Sequence, residues 1–176
     1  MPRETLAGVI FAASHLTGTF TLRSGVTSSE YFDKYRFESD PTLLEAIGEA
    51  LVPLVPAGTE ALAGLELGGV PLAVALSRVT GLPAYFVRKE AKTYGTCQLA
   101  EGGDVAGRHL TVVEDVVTSG GQVVASCGDL RERGAVVDHA VCVIDREAGG
   151  PSALTTIGVE LVALFTMTEL KAAAPG

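Results

Sequence analysis

Two adjacent acids interrupt an apolar run, and a small, polar turn follows them. In VVEDVVTSGG (112–121), Glu114 and Asp115 lie between valines, ahead of the turn TSGG (118–121). A buried strand avoids neighbouring carboxylates because an unpaired charge out of water is costly. A glycine-rich helix start presents free backbone N–H groups and the positive end of the helix dipole to an anion. The spacing therefore predicts carboxylates that accept hydrogen bonds from sugar hydroxyls, beside a seat for a phosphate.

Glu114 and Asp115, taken alone, could equally be an exposed strand end that caps the following helix. The glycine turn lacks the lysine of a P-loop and is not the G-x-G-x-x-G of a dinucleotide fold, so residue identity excludes both of those sites. The combination of the acids with TSGG is the unusual feature. It favours a site for a sugar that carries a 5′-phosphate.

The distribution of positive charge indicates a local anion site rather than a nucleic-acid surface. The 176-residue chain has a formal net charge of −8 at pH 7, whereas a general nucleic-acid binder carries a basic surplus. Arg88, Lys89 and Lys92 nevertheless form a compact cluster that can attract a small anion. Alone, this segment could be a solvated run of charges. Lys34 and Arg36 are interpreted as surface residues.

Cysteine usage and hydropathy favour a cytoplasmic location and no membrane partner. The three cysteines are far apart and form no C-x-x-C, so neither a disulfide framework nor a structural zinc site is expected. Cys127 and Cys142 are predicted to lie in the core. No apolar run approaches the ~18–20 residues that span a bilayer, and the apolar N-terminal stretch is interpreted as a first helix rather than a secretory leader.

The order of the predicted elements indicates an α/β fold. Strands are predicted over 60–67, 83–88, 110–117, 135–145 and 159–167, after a helix over 5–14, two extended pieces within 20–32 and a helix that begins at Asp40–Pro41. Helices over 70–81, 120–133, after Pro151 and over 168–174 alternate with these strands, and a long loop occupies 89–107. Near-continuous Val, Ile and Leu strands predict a mainly parallel twisted sheet flanked by helices.

The odd features of the sequence are all predicted at one edge of this sheet. In open parallel sheets, ligands bind beyond the carboxyl ends of the strands. Four polar or glycine pairs lie at the carboxyl ends of predicted strands, namely Gly68–Gly69, Arg88–Lys89, Glu114–Asp115 and Asp145–Arg146. We therefore expect them to surround a single site.

Four blocks of sequence resemble one enzyme family. VVEDVVTSGG resembles the signature with which phosphoribosyltransferases bind phosphoribosyl pyrophosphate (PRPP). With FTLRSGVTSSEYF (20–32), VRKEAKTYG (87–95) and VIDREAGG (143–150), it follows the order and approximate spacing of orotate phosphoribosyltransferases. The resemblance spans residues 20–150.

This resemblance implies an activity and an architecture. The expected reaction transfers the 5-phosphoribosyl group of PRPP to orotate, giving orotidine 5′-monophosphate and pyrophosphate in de novo pyrimidine synthesis. The fold would be the type I phosphoribosyltransferase fold over a single domain, 1–176, with a core of about 41–165 and a base-binding hood of about 1–40 plus the C-terminal tail. Mg²⁺ would be held mainly by substrate oxygens and water rather than by direct side-chain ligands. A homodimer would carry loop 89–107 into the neighbouring site.

The resemblance also implies roles for individual residues. PRPP would be bound by Arg88, Lys89, Lys92, Glu114, Asp115, Val116, Val117, Thr118, Ser119, Gly120, Gly121 and Gln122. Lys92, Glu114 and Asp115 would act in catalysis, and Arg23, Thr118 and Arg146 would bind orotate.

The chain departs from the family pattern at two positions, and two other functions stay open. Tyr94 stands where many members carry histidine, and Gly68 where some carry a lysine that approaches pyrophosphate. The acceptor could be another base, because few side chains decide it. Alternatively, the chain could be a regulator that senses PRPP without catalysis. Such a regulator needs a nucleic-acid surface, and no helix-turn-helix is evident.

Overall fold

The computed structural model, which describes residues 1–21, 25–91 and 99–174, alternates strands and helices much as the sequence pattern predicts. Its strands are β1 (His15–Thr21), β2 (Thr27–Phe32), β3 (Ala61–Leu65), β4 (Ala84–Val87), β5 (Ala100–Glu101), β6 (His109–Val117), β7 (Val136–Asp145) and β8 (Glu160–Thr166). Its helices are α1 (Arg3–Ser14), α2 (Tyr35–Ser39), α3 (Pro41–Leu51), α4 (Gly69–Thr80), α5 (Gly121–Glu132), α6 (Gly150–Thr155) and α7 (Met167–Ala172), and a 3₁₀ turn covers Val52–Leu54.

The central sheet has the order β5-β4-β3-β6-β7-β8 in the described part of the chain. Every neighbouring pair is parallel except β4 and β5. Apolar side chains cover both faces, because successive residues of a strand point to opposite sides. Val112 packs in the same core as Cys127 and Leu130 of α5, whereas Val113 packs with Ile47 of α3 and Leu72 of α4. The predicted α/β class is confirmed.

Local sequence signals set the helix limits. The Asp40 carboxylate accepts hydrogen bonds from the N–H groups of Thr42, at 2.9 Å, and Leu43, at 3.0 Å, as an N-cap does. Gly81 follows α4 with φ of +76°, a left-handed conformation that favours glycine. Both limits agree with the sequence prediction.

The structure differs from the predicted elements in three places. Of the two extended pieces predicted within 20–32, one is β2, whereas the other strand, β1, begins earlier, at His15. The predicted loop 89–107 contains β5, and Leu99, Ala100 and Val105 are buried, so its second half belongs to the core. Residues 92–98 lie outside the described residues. The short helix α2 was not predicted, because it offers neither an N-cap side chain nor enough length for a helical period.

An antiparallel hairpin, β1–β2, stands apart from the sheet, and the N-terminal helix packs on the C-terminal one. Arg3 Nη2 donates hydrogen bonds to the Leu164 carbonyl and to Glu169 Oε1 of α7, both at 2.8 Å. The division into core and hood stays a prediction. No helix in the described ranges has the length and apolar character needed to cross a bilayer.

Candidate active site

The acid pair lies within β6 rather than at its end. Pairing with β3 stops at Val113, whereas pairing with β7 continues to Val117. Glu114 and Asp115 therefore occupy the part of β6 that extends past its β3 neighbour, beside the turn that starts α4. Glu114 is 8% exposed and Asp115 is 0% exposed. They therefore lie near the carboxyl end of the strand, as predicted, at the point where only the β3 side of β6 has lost its partner.

Asp115 is enclosed by a cation, a glycine and a second acid. Its Oδ2 lies 2.5 Å from Lys34 Nζ, and its Oδ1 accepts a hydrogen bond from the Val116 N–H. A Cβ atom added to Gly68 would lie 1.7 Å from Asp115 Oδ2 and 2.7 Å from Glu38 Oε1. Real Cβ atoms do not approach so closely, so only glycine fits this position in the observed arrangement.

Burial and mutual repulsion give Glu38, Glu114 and Asp115 different protonation states. Burial, and then the charge of Asp115, raises the pKa of Glu114 to about 9. Burial, with a hydrogen bond to Asp115, likewise raises the pKa of Glu38 to about 9. Burial alone would raise the pKa of Asp115, but hydrogen bonds with Glu114, Glu38 and Lys34 outweigh it and lower that pKa. Near neutral pH the cluster thus holds one carboxylate, on Asp115, and two neutral carboxyls.

The TSGG turn leads into α5 as predicted and leaves the start of that helix open. Thr118 and Ser119 are exposed, and Gly120 has φ of +80°. Within the described residues no side chain caps α5, so its first N–H groups remain available to an anion. Gly150 packs closely against this turn. A Cβ atom added there would lie 2.5 Å from Val117 Cγ1 and 3.1 Å from the Thr118 carbonyl oxygen, so the observed packing leaves no space for a side chain.

Two predicted cations follow β4. Arg88 Nε lies 3.4 Å from Glu101 Oε1 of β5, and the Lys89 N–H donates to the Glu66 carboxylate. Glu66 precedes Gly68 in the turn after β3, so its carboxylate ties that turn to the start of the predicted loop. Lys92, predicted to act on pyrophosphate, lies outside the described residues.

Arg146 is exposed directly after β7, and its N–H donates to the Val117 carbonyl at 2.8 Å. The next residue fixes the local backbone. Glu147 has φ of +59°, and its carboxylate accepts hydrogen bonds from the N–H and hydroxyl of Thr168 at 2.9 and 2.6 Å. Arg23, the other residue predicted to bind orotate, lies outside the described residues.

The structure therefore brings most of the described candidates to one edge of the sheet, with three qualifications. The Val117 side chain is buried and that of Val116 is half-buried, so a ligand would reach them through the backbone. Gln122 is exposed, with its amide 3.4 Å from Ser126 Oγ. Lys34, interpreted from sequence as a surface residue, instead contacts Asp115. The i, i+4 spacing of Lys34 and Glu38 was the only sequence signal for this contact, and it points to a shared helix face rather than to a partner.

Comparison with known proteins gives the family and the fold of this chain. A family model described as a phosphoribosyl transferase domain matches residues 43–156. The orotate phosphoribosyltransferase of Nocardioides sp. is 54% identical over 169 residues, covering 96% of this chain and 94% of that protein. The crystal structure of Mycobacterium tuberculosis H37Rv orotate phosphoribosyltransferase with Fe(III) dicitrate matches with a TM-score of 0.87 and 29% identity, over 96% of this chain and 98% of that one. The same enzyme in complex with PRPP matches with a TM-score of 0.83 and 27% identity, over the same shares.

Proposed function

This chain belongs to the orotate phosphoribosyltransferase family, and we propose that it transfers the 5-phosphoribosyl group of PRPP to orotate, giving orotidine 5′-monophosphate and pyrophosphate in de novo pyrimidine synthesis. The family resemblance predicted from the four sequence blocks is thereby confirmed. The observation that carries the activity is the buried Asp115 carboxylate on β6, the strand that leads through the TSGG turn into α5, whose start no described side chain caps. Such a pair suits a ribose and its 5′-phosphate.

The transfer of the phosphoribosyl group requires cations and hydrogen bonds rather than a strong base. The C1′–oxygen bond to pyrophosphate breaks and a C1′–nitrogen bond to orotate forms, with positive charge developing on the ribose. Cations that face the departing pyrophosphate lower the barrier because they stabilise its growing charge. Orotate is already anionic near neutral pH and needs no further activation.

The proposed roles follow from this charge distribution. Asp115, with Glu114 beside it, accepts hydrogen bonds from the ribose hydroxyls, and the TSGG turn binds the 5′-phosphate. Arg88 and Lys89, joined by Lys92 of the predicted loop, face the pyrophosphate. The orotate carboxylate pairs with Arg146, helped by Arg23, since a guanidinium matches a carboxylate in two parallel hydrogen bonds.

Mg²⁺ is part of this proposal, with substrate oxygens and water as its main ligands. The chemistry of the acids fits that arrangement. Asp115 already uses one oxygen for Lys34 and the other for the Val116 N–H, and Glu114 holds its proton near neutral pH. Mg²⁺ sheds water reluctantly and commonly relies on substrate phosphates. When bound, it would neutralise charge on the pyrophosphate.

The homodimer, the reach of the predicted loop into a neighbouring site and the cytoplasmic location also belong to the proposal. Leu99, Ala100 and Val105 contribute buried side chains to the core, so this end of the predicted loop packs within its own chain.

A forward assay tests the proposed function. The protein is mixed with orotate, PRPP and Mg²⁺, and the fall in orotate absorbance is followed. Turnover of orotate is the expected result. Turnover of a purine base but not of orotate would favour the other-acceptor alternative, and tight PRPP binding without turnover of any base would favour the regulator.

We expect Arg146→Ala to weaken orotate binding selectively. Loss of a charge-assisted pair worth about 1.5–3 kcal/mol should raise the KM for orotate about 10- to 100-fold, with little change in the KM for PRPP. Steady-state kinetics with each substrate varied in turn measures both constants. Arg108→Ala, which removes an exposed arginine at the opposite edge of the sheet, is the matched control. A normal KM for orotate in Arg146→Ala would remove the assignment.

A further inference from the structure

Lys34 covers the carboxylate to which the ribose is assigned. Asp115 is fully buried, and Lys34, whose side chain is 33% exposed, lies between it and solvent with Nζ 2.5 Å from Oδ2. The other side of Asp115 is closed by Gly68 and Glu38. A ribose hydroxyl can reach Oδ2 only where one of these neighbours gives way. Of the three, Lys34 alone has a long, flexible side chain that is partly exposed to solvent. It is therefore the neighbour that can move away most easily.

The segment that carries Lys34 is firmly anchored. The Asp33 N–H donates to the Ser14 carbonyl at 2.8 Å, and the Asp33 carboxylate accepts the Tyr35 N–H at 3.2 Å. Phe37 of α2 is fully buried. The backbone of α2 is thus fixed by α1 and the core, while the end of the Lys34 side chain is held only through polar and ring contacts that a competing ligand can replace.

Fold stability alone does not account for this ion pair. Removing two charges from water costs about as much as their attraction returns, so a buried pair is weak evidence for stability. An apolar residue at position 34 would cover the strand without that cost. The pair instead leaves a carboxylate charged inside the protein, which is the form that accepts hydrogen bonds from hydroxyl groups.

We propose that Lys34 is the exchangeable counter-ion of Asp115: it keeps this carboxylate charged in the free protein and is replaced at Oδ2 by the ribose hydroxyls of PRPP. Glu38 of α2 is a positioning residue, because its buried carboxyl lines the same space beside Gly68 as the Asp115 carboxylate. The inference rests on the proposed function, because it assumes that a ribose is the ligand of Asp115.

The titratable groups around Asp115 are consistent with this exchange. They are Asp33 and Lys34 just before α2, Tyr35 and Glu38 on α2, Glu114 on β6 and Cys142 on β7. Burial would lower the pKa of Lys34, but the hydrogen bond and charge of Asp115 outweigh it and raise that pKa. Burial raises the pKa of Cys142, which stays a thiol. Lys34 is therefore the one cation among these groups.

The test compares PRPP binding by Lys34→Met, Lys34→Arg and wild type in MgCl₂, by calorimetry at two pH values. Without the ammonium, Asp115 takes up a proton more readily, so the Kd for PRPP in Lys34→Met should exceed that of wild type about 10-fold near pH 6 and only about two-fold near pH 8.5. Lys34→Arg, which keeps the charge, should return to the wild-type pH dependence. Arg36→Met, an exposed cation on the same helix, should behave as wild type at both values.

A Kd ratio for Lys34→Met that does not change with pH, or one equal to that of Arg36→Met, overturns the proposal. So does a Lys34→Arg protein that binds like Lys34→Met. Calorimetry detects PRPP binding without turnover, so a protein that fails the orotate assay yet shows this pH-dependent ratio would refute the proposed acceptor and not the counter-ion.

Glu38→Gln supplies an independent measurement if Lys34→Met does not fold. The pKa of Glu38 is raised from 4.5 to about 9, so the folded protein keeps a proton that the unfolded chain releases. The stability from this proton is complete below pH 4.5 and is lost as the pH rises toward 9. Denaturation at intermediate pH values should show a smaller loss of stability in Glu38→Gln than in wild type, with PRPP binding retained. Equal losses of stability in the two proteins would contradict the role of Glu38.

Discussion

We expect Asp115→Asn to lower kcat/KM for PRPP about 100-fold, because the amide cannot accept charge-assisted hydrogen bonds from two ribose hydroxyls, each worth about 1.5 kcal/mol. The substitution preserves shape, so it opens no cavity. Asp115→Asn should also weaken PRPP binding itself, since the ribose hydroxyls are present before the C1′ bond breaks. Initial-rate kinetics and calorimetry measure the two effects.

Asp138→Asn is the matched control for this substitution. Asp138 lies on β7, next to β6 in the sheet, but its carboxylate is 59% exposed and 3.8 Å from Arg131. We expect its kinetic constants to stay within about two-fold of wild type, as for an exposed pair. Circular dichroism confirms that both variants are folded. If Asp115→Asn is folded and as active as the control, Asp115 is not the ribose ligand.

We expect Gly68→Ala to cause a loss of similar size, although it adds only a methyl group. The added Cβ would lie 1.7 Å from Asp115 Oδ2 and 2.5 Å from its Cγ, distances at which the carboxylate must move. The Asp115 backbone is held inside the sheet, so its side chain has to rotate away from Lys34. PRPP binding should weaken about 100-fold, and overpacking should cost about 1–3 kcal/mol of unfolding free energy.

The mechanism of the Gly68 effect can be checked in a second background. Asp115→Ala removes the two closest clashes and leaves only Glu38 Oε1 at 2.7 Å, so Gly68→Ala should destabilise that variant less than it destabilises wild type. Thermal melts of the four proteins give this comparison. Gly58→Ala is the control, because a Cβ at Gly58 meets nothing within 4 Å. Equal destabilisation by Gly68→Ala in both backgrounds would show that Asp115 is not what excludes the side chain.

Part of the fold and of the candidate site could be predicted from local sequence signals. The acids, the TSGG turn and the strand–helix alternation could be predicted because each depends on neighbouring residues. Helix caps such as Asp40 and Gly81 act within one turn, and apolar periodicity reports which side of an element is buried. The four family blocks are likewise contiguous stretches, so their resemblance needed no structure.

The contacts between distant segments could not be predicted in this way. The sequence shows glycine at position 68 without showing that Asp115 fills the space beside it. It shows two residues of β5 inside an apparent loop, but their pairing with β4 depends on the tertiary fold. Glu38 looks like an ordinary exposed acid in the sequence, and Glu114 looks like a site residue, but neither pattern shows that burial raises the pKa of both carboxyls.

The family, the α/β architecture and the residue types at the candidate site can be read from short motifs and local periodicity. The burial of Asp115 and its pairing with Lys34 appear only in the folded chain, because charge state and accessibility depend on what α2 and the turn after β3 bring against β6. Those neighbours are far away in the chain, and no local pattern specifies them.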